Sequence, residues 1–522
     1  MQWPCRTLAV LVAAIVVLLS VRFAIFLSCE ELAAAELPLQ GTFHPGFFLP
    51  SFVDGIDVNI SRARSQNTVT PRQRPDVTAI VLNWSRLDNV VRIVSLLCEE
   101  SLLDTVAEAF IWNNSPKELT YETFASSGCP KAKLRLYNSE RNLYFHARFL
   151  ACVQAKTQFC FFQDDDYLVL PQIIQTLRYR IAESPQTAIH LLPAHEHLSS
   201  RLRTILTPSG VHSGFAWLGH GAIMSRKQAV DFVSLLRHLN MPPEEVRLAD
   251  NYFTILSNQI PEIWFDHGVE LGGGEPFTIG QEGHERNLRH IMNACAYLDQ
   301  LVSGIHDISH QETALEAFPF VKAAADIGQW FISRSPCLGS SCLLETNIRL
   351  LGDDVPSGHA ATDLIAREGQ YASAMDKKAV LNYTRHSLSK AVDGMPATAF
   401  RSTSLARRGE YVMLDSLYPV GSLDVKLEVV FLVPPSSEEI LRKSVFQSSV
   451  DGGDWFSSPH PLMCRNTSMT TTLLYNRFSE DFALVECSVR VVDGNVRYFK
   501  ALLKSDASVA WTISEIWLRE LS

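Results

Sequence analysis

An α/β domain followed by a β-sandwich is what the sequence predicts. Apolar, β-rich runs alternate with amphipathic stretches between Asp76 and Phe162, which implies a layered α/β architecture around a mostly parallel sheet. Three of those runs end at or beside a polar residue of one kind, Asn83, Asn113 and Asp164. From about Tyr371 the texture changes to short strand-like runs separated by turn residues with no helices between them, the pattern of a β-sandwich.

The elements follow in order. Asp76 to Leu82 opens the sheet, and Leu87 to Leu97 is an amphipathic helix. Ala107 to Trp112 and Leu134 to Tyr137 are further short strands, Phe145 to Ala155 reads as helix, and Phe159 to Phe162 is a buried strand running into three aspartates. In open α/β sheets ligands bind at the carboxyl ends of the strands, which is where Asn83, Asn113 and Asp164 fall. Glu244 to Leu256 reads as one helix, and residues 300 to 345 as a helical linker plus loop. Beyond it, Tyr411 to Leu414, Val425 to Val433, Phe482 to Val485, Val489 to Val492 and Arg497 to Leu503 are strand-like.

At 522 residues the chain exceeds one typical core, so two domains and their connections are expected. The net charge of -10 argues against a nucleic-acid binder and suits a protein that recruits a divalent cation to an anionic substrate. Thr7 to Ser20 is an apolar run that Arg22 interrupts and Phe23 to Leu27 resume; together they are about one bilayer crossing long, with Arg22 snorkelling toward the headgroups. A retained signal-anchor is expected, a cleaved signal peptide ending near Ala33-Ala34-Ala35 being the alternative. Either one sends the rest of the chain into the secretory pathway. Prolines 38, 45, 50, 71 and 75 mark a stem. The expected organisation is therefore a membrane segment (1–29), a stem (30–75), an α/β domain (76–302), a linker (303–370) and a β-sandwich (371–522).

Of the 11 cysteines, Cys5 and Cys29 precede the lumenal part, and the odd remainder leaves at least one thiol outside an intrachain pair. Cys337 with Cys342 and Cys464 with Cys487 are the expected pairs in an oxidising lumen. Asn59, Asn382 and Asn466 sit in glycosylation sequons; Asn83 and Asn113 also fit the pattern, but their strand-end positions assign them to a ligand site.

The chemistry centres on Phe159-Cys160-Phe161-Phe162-Gln163 leading into Asp164-Asp165-Asp166. Three consecutive carboxylates repel one another, and a bound cation relieves the repulsion. Mn²⁺ or Mg²⁺ fits, since hard cations take carboxylate oxygens and bridge to substrate phosphates. A short acidic cluster is by itself more often a solvated loop; the buried strand before this one fixes it at the edge of a core.

From Thr78 to about Leu301 the chain resembles the exostosin-like glycosyltransferases, which have a GT-A fold. Val81-Leu82-Asn83-Trp84-Ser85-Arg86 resembles the first-strand motif that holds the uridine, and Ile111-Trp112-Asn113-Asn114 the second-strand element that contacts the nucleotide. Asn142 and Arg148 match a family Asn and Arg ahead of the aspartates; Asp164, Asp165 and Asp166 match its D-x-D, whose last member ligates Mn²⁺. Gly219-His220-Gly221-Ala222 resembles the acceptor-side glycine loop, and Asp250 matches the second member of a family Asp-Asp pair whose first position here is Ala249. His284 to Arg289 resembles an element that closes on the diphosphate, with Arg286 and Arg289 both candidates.

The resemblance implies a metal-dependent, retaining transfer of a sugar from a UDP-sugar, an N-acetylhexosamine in the resembled family, to a glycan or glycoprotein acceptor. It would run in the Golgi or endoplasmic reticulum on a single-pass type II protein with a lumenal catalytic domain. Asn83, Arg86, Asn113, Asn142, Arg148, Asp164 and Asp165 are its implied donor-binding residues, Asp166 the metal ligand, and Asp250, Arg286 and Arg289 the catalytic candidates. For Asp250 the implied role is to orient the acceptor or steady an oxocarbenium-like centre. Each has a plainer reading: strand-end turn residues for the asparagines, surface helix charges for Arg148 and Asp250. Near the C-terminus, Ala391 to Gly394, Thr398 to Ser402, Gly409 to Asp415, Val496 to Lys500 and Ile513 to Ile516 resemble discoidin-type, galactose-binding-like sandwiches, which often bind glycans or lipids. The competing reading is a non-catalytic, Golgi-anchored glycan-binding protein with a decayed transferase domain. A metal-dependent hydrolase would need more clustered histidine or carboxylate ligands than this segment offers.

Overall fold

A computed structural model describes residues 74–273, 281–307, 318–322, 330–351, 357–420, 426–475, 478–491 and 496–521. The membrane segment and the sequon at Asn59 lie outside these residues, as does the stem apart from its last two positions. Among the described residues no helix is long and apolar enough to cross a membrane.

Four parallel strands form the expected beginning. Strand β1 (Val77–Asn83) lies between β2 (Val106–Asn113) and β4 (Phe159–Gln163), and β3 (Leu134–Asn138) pairs outside β2. Burial on both faces explains the largely apolar sequences of β1 and β4: in β1, Val77, Ala79 and Val81 pack on one side and Ile80 on the other. Helix α1 (Leu87–Leu97) covers the first face through Val90, Ile93, Val94 and Leu97. Helix α2 (His146–Gln154) packs in the opposite core with Ala147, Phe149 and Ala151. Beyond β4 the sheet continues through β6 (Ala222–Ser225), antiparallel to both its neighbours, then β5 (Ile189–Leu192) and β7 (Glu262–Phe265). The result is a mixed α/β sheet.

This sheet does not stop at residue 302. The described part of 303–370, expected as linker and loop, carries β8 (Ser333–Pro336) and β9 (Leu343–Thr346). Strand β8 pairs with β7, and β9 pairs with β10 (Tyr411–Val420) of the C-terminal region. Strand β10 then meets β15 (Val496–Leu503), and β15 meets β12 (Ser444–Ser449), within one sheet of 13 strands. A second, 4-stranded antiparallel sheet contains β13 (Met463–Tyr475), β14 (Phe478–Arg490), β11 (Lys426–Val433) and β16 (Glu515–Leu521). Its residues Phe431, Val433 and Ile516 share a core with Leu414, Phe499 and Ala501 of the large sheet. The run expected at 482–485 and the first two residues of that at 489–492 belong to the single long strand β14, which ends at Arg490, and two helices, Leu364–Ala374 and Lys377–Arg385, precede the strands.

Both expected disulfides are present, Cys337–Cys342 closing a turn and Cys464–Cys487 joining directly opposed residues of β13 and β14. Two more were not anticipated: Cys98–Cys129 beside the end of α1, and Cys152–Cys160 linking α2 to β4. Cys295 is left as a buried free thiol.

Candidate active site

The strand ends form one surface. In the register of the parallel strands Asn83 stands opposite Asn113, and Asn113 opposite Asn138. Asn83 Nδ2 donates to Asn113 Oδ1 at 2.7 Å; Asn113 Nδ2 donates to Asn138 Oδ1 at 2.8 Å and to the Lys117 carbonyl at 2.7 Å. The Asn113 amide is thus spent on holding the loop, whereas the buried Asn83 Oδ1 has no hydrogen-bond partner. With both side chains buried, neither sequon is open to a glycan.

The next turn positions the central cation. Tyr144 adopts a left-handed backbone (φ 50°), a strained choice for a non-glycine residue. Two asparagines hold it: Asn142 Oδ1 accepts from the Tyr144 amide at 2.8 Å, and Asn114 Nδ2 donates to its carbonyl at 3.2 Å. Asn142 therefore shapes the lead into α2. That helix carries Arg148, which is 1% exposed. Arg148 Nη2 lies 2.7 Å from Asp164 and 3.2 Å from Asp250, so one buried guanidinium spans two carboxylates distant in sequence. Burial opposes its charge, but Asp250 and Asp164 outweigh that and hold its pKa above the ordinary arginine value.

The aspartate triplet leaves β4 in three directions. Asp164 turns to Arg148, its backbone amide donating to the Gly219 carbonyl at 2.8 Å. A Cβ at Gly219 would sit 2.2 Å from Asp164 Oδ2, so any other residue there would push the carboxylate from this position. Asp165 is buried against Arg86 at 2.7 Å, and burial pushes its pKa up to about 6 despite that pair. Asp166 is the most open of the three side chains, 38% exposed and 3.4 Å from Arg86, and burial followed by the neighbouring Asp164 raises its pKa. Arg86 also donates to the Gly273 carbonyl, drawing that loop over the site. The repulsion expected among the aspartates is thus relieved in part by two arginines.

The helix expected over Glu244–Leu256 is interrupted at Leu248 and Ala249, giving Pro243–Arg247 and then Asp250–Leu256. Asp250 consequently occupies a first helical turn, 3% exposed, with its Oδ1 lacking a hydrogen-bond partner. Burial pushes its pKa up to about 7, although Arg148 pulls the other way. It is not a surface residue. Asp164 and Asp250 line a cavity of about 280 Å³ together with His220, Glu196, Trp217 and Asn287. His220 Nε2 pairs with Glu196 at 3.0 Å; burial disfavours the imidazolium, and Glu196 outweighs it and raises the pKa. Tyr167 stands edge-on to His220 and donates to Asp266.

The long helix Gln281–Asp307 closes the cavity with His284, Asn287, Leu288 and Ile291. Arg286 and Arg289 are absent from that lining; Arg289 is exposed and Arg286 half-buried. Glu196, His220, Trp217, Asn287 and Asn138 carried no sequence assignment as site residues. Only His220 had a signal, its place in the glycine loop.

A divalent cation would meet a surplus of carboxylates here: Asp164, Asp165, Asp166 and Asp250 stand against two guanidiniums, Arg86 and Arg148. Among the described residues no group of three or more histidine, cysteine or carboxylate side chains forms a closed ligand set. Mg²⁺ and Mn²⁺ in nucleotide enzymes commonly use one or two carboxylates with substrate phosphates and water, and that is the set Asp166 and its neighbours offer.

No family model matches the chain, and no curated protein matches it. A solved structure of S. aureus TarS, residues 1–349, is similar over 47% of this chain and 72% of that one, at 13% identity and a TM-score of 0.27. A likeness at that level carries neither fold nor function to this chain.

Proposed function

We propose that this protein is a metal-dependent glycosyltransferase that moves a sugar from a UDP-sugar to a glycan or glycoprotein acceptor within the secretory pathway. The observation that carries the reading is the strand-end cluster: four carboxylates and two buried or half-buried arginines beside a cavity. Asp166, with Asp164 beside it, would hold Mn²⁺ or Mg²⁺, which when bound neutralises charge developing on the diphosphate leaving group. Asn83 and Arg86 lie at the end of β1, where the nucleotide would sit. Arg148 is fixed between Asp164 and Asp250, so it ties the donor carboxylate to the acceptor side of the cavity. Asp250 keeps one oxygen free of hydrogen bonds for an acceptor hydroxyl or the sugar's reacting centre. Four disulfides support an oxidising compartment. The N-terminal segment would then serve as the type II anchor.

UDP should raise the thermal midpoint only when Mn²⁺ is present, because a ligand that binds the native state alone stabilises it. Asp166→Asn should abolish that shift while the unliganded midpoint is retained. A UDP shift independent of Mn²⁺, or unchanged in the variant, overturns the reading.

A further inference from the structure

A second cavity, of about 210 Å³, lies on the other side of the helix Ala194–Leu202. That helix supplies Glu196 and Ser199 to the candidate active site, and Arg201 and Leu202 to this one. The second cavity is walled by Trp330, Tyr371, Tyr383, Ile348, Leu350 and Met375, an aromatic and aliphatic lining of the kind that holds small organic ligands. A cavity of about 150 Å³ lined by apolar side chains binds benzene, so this one has room for a ring with a short chain.

Its unusual member is Arg201. The guanidinium lies 4.9 Å over the Trp330 ring and donates to the Trp330 and Ile332 carbonyls, the latter at 2.7 Å. Those two bonds use two of its five N–H donors. Among the described residues no carboxylate pairs with it: the charges acting on it there are Tyr383 and the like-charged Arg334, and burial pulls its pKa below the ordinary arginine value. The more deeply buried arginines nearby, Arg203 with Glu368 and Arg334 with Glu262 and Glu345, each have an acidic partner, and the cavity's other arginine, Arg349, is exposed. A half-buried cation held by carbonyl dipoles and an indole face at the wall of an apolar cavity is complementary to an anion with an apolar body.

We propose that this cavity is a binding site for a small amphipathic carboxylate, its ring or short chain among Trp330, Tyr371 and Met375 and its carboxylate on Arg201. The site is separate from the strand-end cluster and stands whether or not that cluster transfers sugars.

The test compares two probes of one shape, 3-phenylpropanoate and the neutral 3-phenylpropanamide, by calorimetry and thermal shift on the full chain. The acid should bind one-to-one and at least about tenfold more tightly than the amide, the scale of one charge-assisted hydrogen bond. Arg201→Gln should erase the difference between the two probes. Ala379→Phe, which fills the cavity from the half-buried helix Lys377–Arg385 without touching Arg201, should block both while the unliganded midpoint is kept. The proposal is overturned if the amide matches the acid in the parent, if the acid still binds Ala379→Phe, or if the acid does not bind at millimolar concentration. UDP stabilisation measured on the same variants reports the other cavity and should be unchanged.

Discussion

Arg148 and Asp250 are 102 positions apart in the chain, yet each is intelligible only through the other. A guanidinium at 1% exposure is costly to bury without acidic partners, and among the described residues Asp250 has no other cation within ion-pair distance. Burial nevertheless dominates Asp250, whose pKa is pushed up to about 7. A carboxyl with a raised folded pKa binds its proton more tightly folded than unfolded. It therefore favours folding fully below about pH 4, and that contribution is lost as the pH rises through about 7. Asp250→Asn has no such titration, so its thermal midpoint should fall less than the parent's between those two pH values. Parallel midpoint curves would remove the burial argument. If Asp250 acts in the transition state, the same variant should lose on the order of a hundredfold in kcat while UDP affinity holds. Calorimetry with UDP and a turnover assay on one preparation check both halves: near-normal turnover removes the catalytic role, and lost UDP binding moves Asp250 to the donor side.

At the scale of elements, the site depends on what the loop bearing Gly219 allows β4 to do. Asp164, in reaching Arg148, occupies the space that a side chain at Gly219 would enter. Gly219→Ala forces the carboxylate aside and leaves Arg148 with Asp250 alone, so Mn²⁺-dependent UDP affinity should drop by roughly tenfold or more with the circular-dichroism spectrum unchanged. An affinity equal to the parent's would mean that Asp164 has another way to its partner. Much of this region was legible in sequence. The apolar runs at 76–82, 107–112 and 159–162 come within a residue or two of β1, β2 and β4, because strands buried largely on both faces have few polar positions to blur them. The triplet was legible because a strand fixes it. What the sequence hid was sideways information. The alignment of Asn138 with Asn113 is a register between strands, Cys98–Cys129 and Cys152–Cys160 are connectivities that spacing does not determine, and Glu196 meets His220 only through the turn of a helix. The break at Leu248–Ala249, which turns Asp250 inward, has no glycine or proline of its own to announce it.

For the whole molecule, the consequential feature is that the large sheet runs from the strand-end cluster into the sandwich. Strands β8 and β9 carry hydrogen bonding across residues that composition alone reads as linker, and charged groups reinforce the seam. Arg334 joins Glu262 at 3.1 Å to Glu345 at 2.8 Å; Arg497 of β15 binds Asp415 at 2.7 Å and also Glu183, which ends the helix Pro171–Glu183. Asp415 is 2% exposed, so removing its cation strands a buried carboxylate, a loss of about 3–5 kcal/mol. Arg497→Leu should therefore destabilise strongly, and Asp415→Leu in the same chain should recover much of the loss, since an apolar pair can replace a buried ion pair. If the sheet makes α/β part and sandwich one cooperative unit, calorimetry of Arg497→Leu will show one transition moved down as a whole, and UDP with Mn²⁺ will still move all of it up. Two separated transitions, with only the upper one answering to UDP, would instead mean that the parts unfold independently and that the shared sheet is a contact surface with no cooperative role.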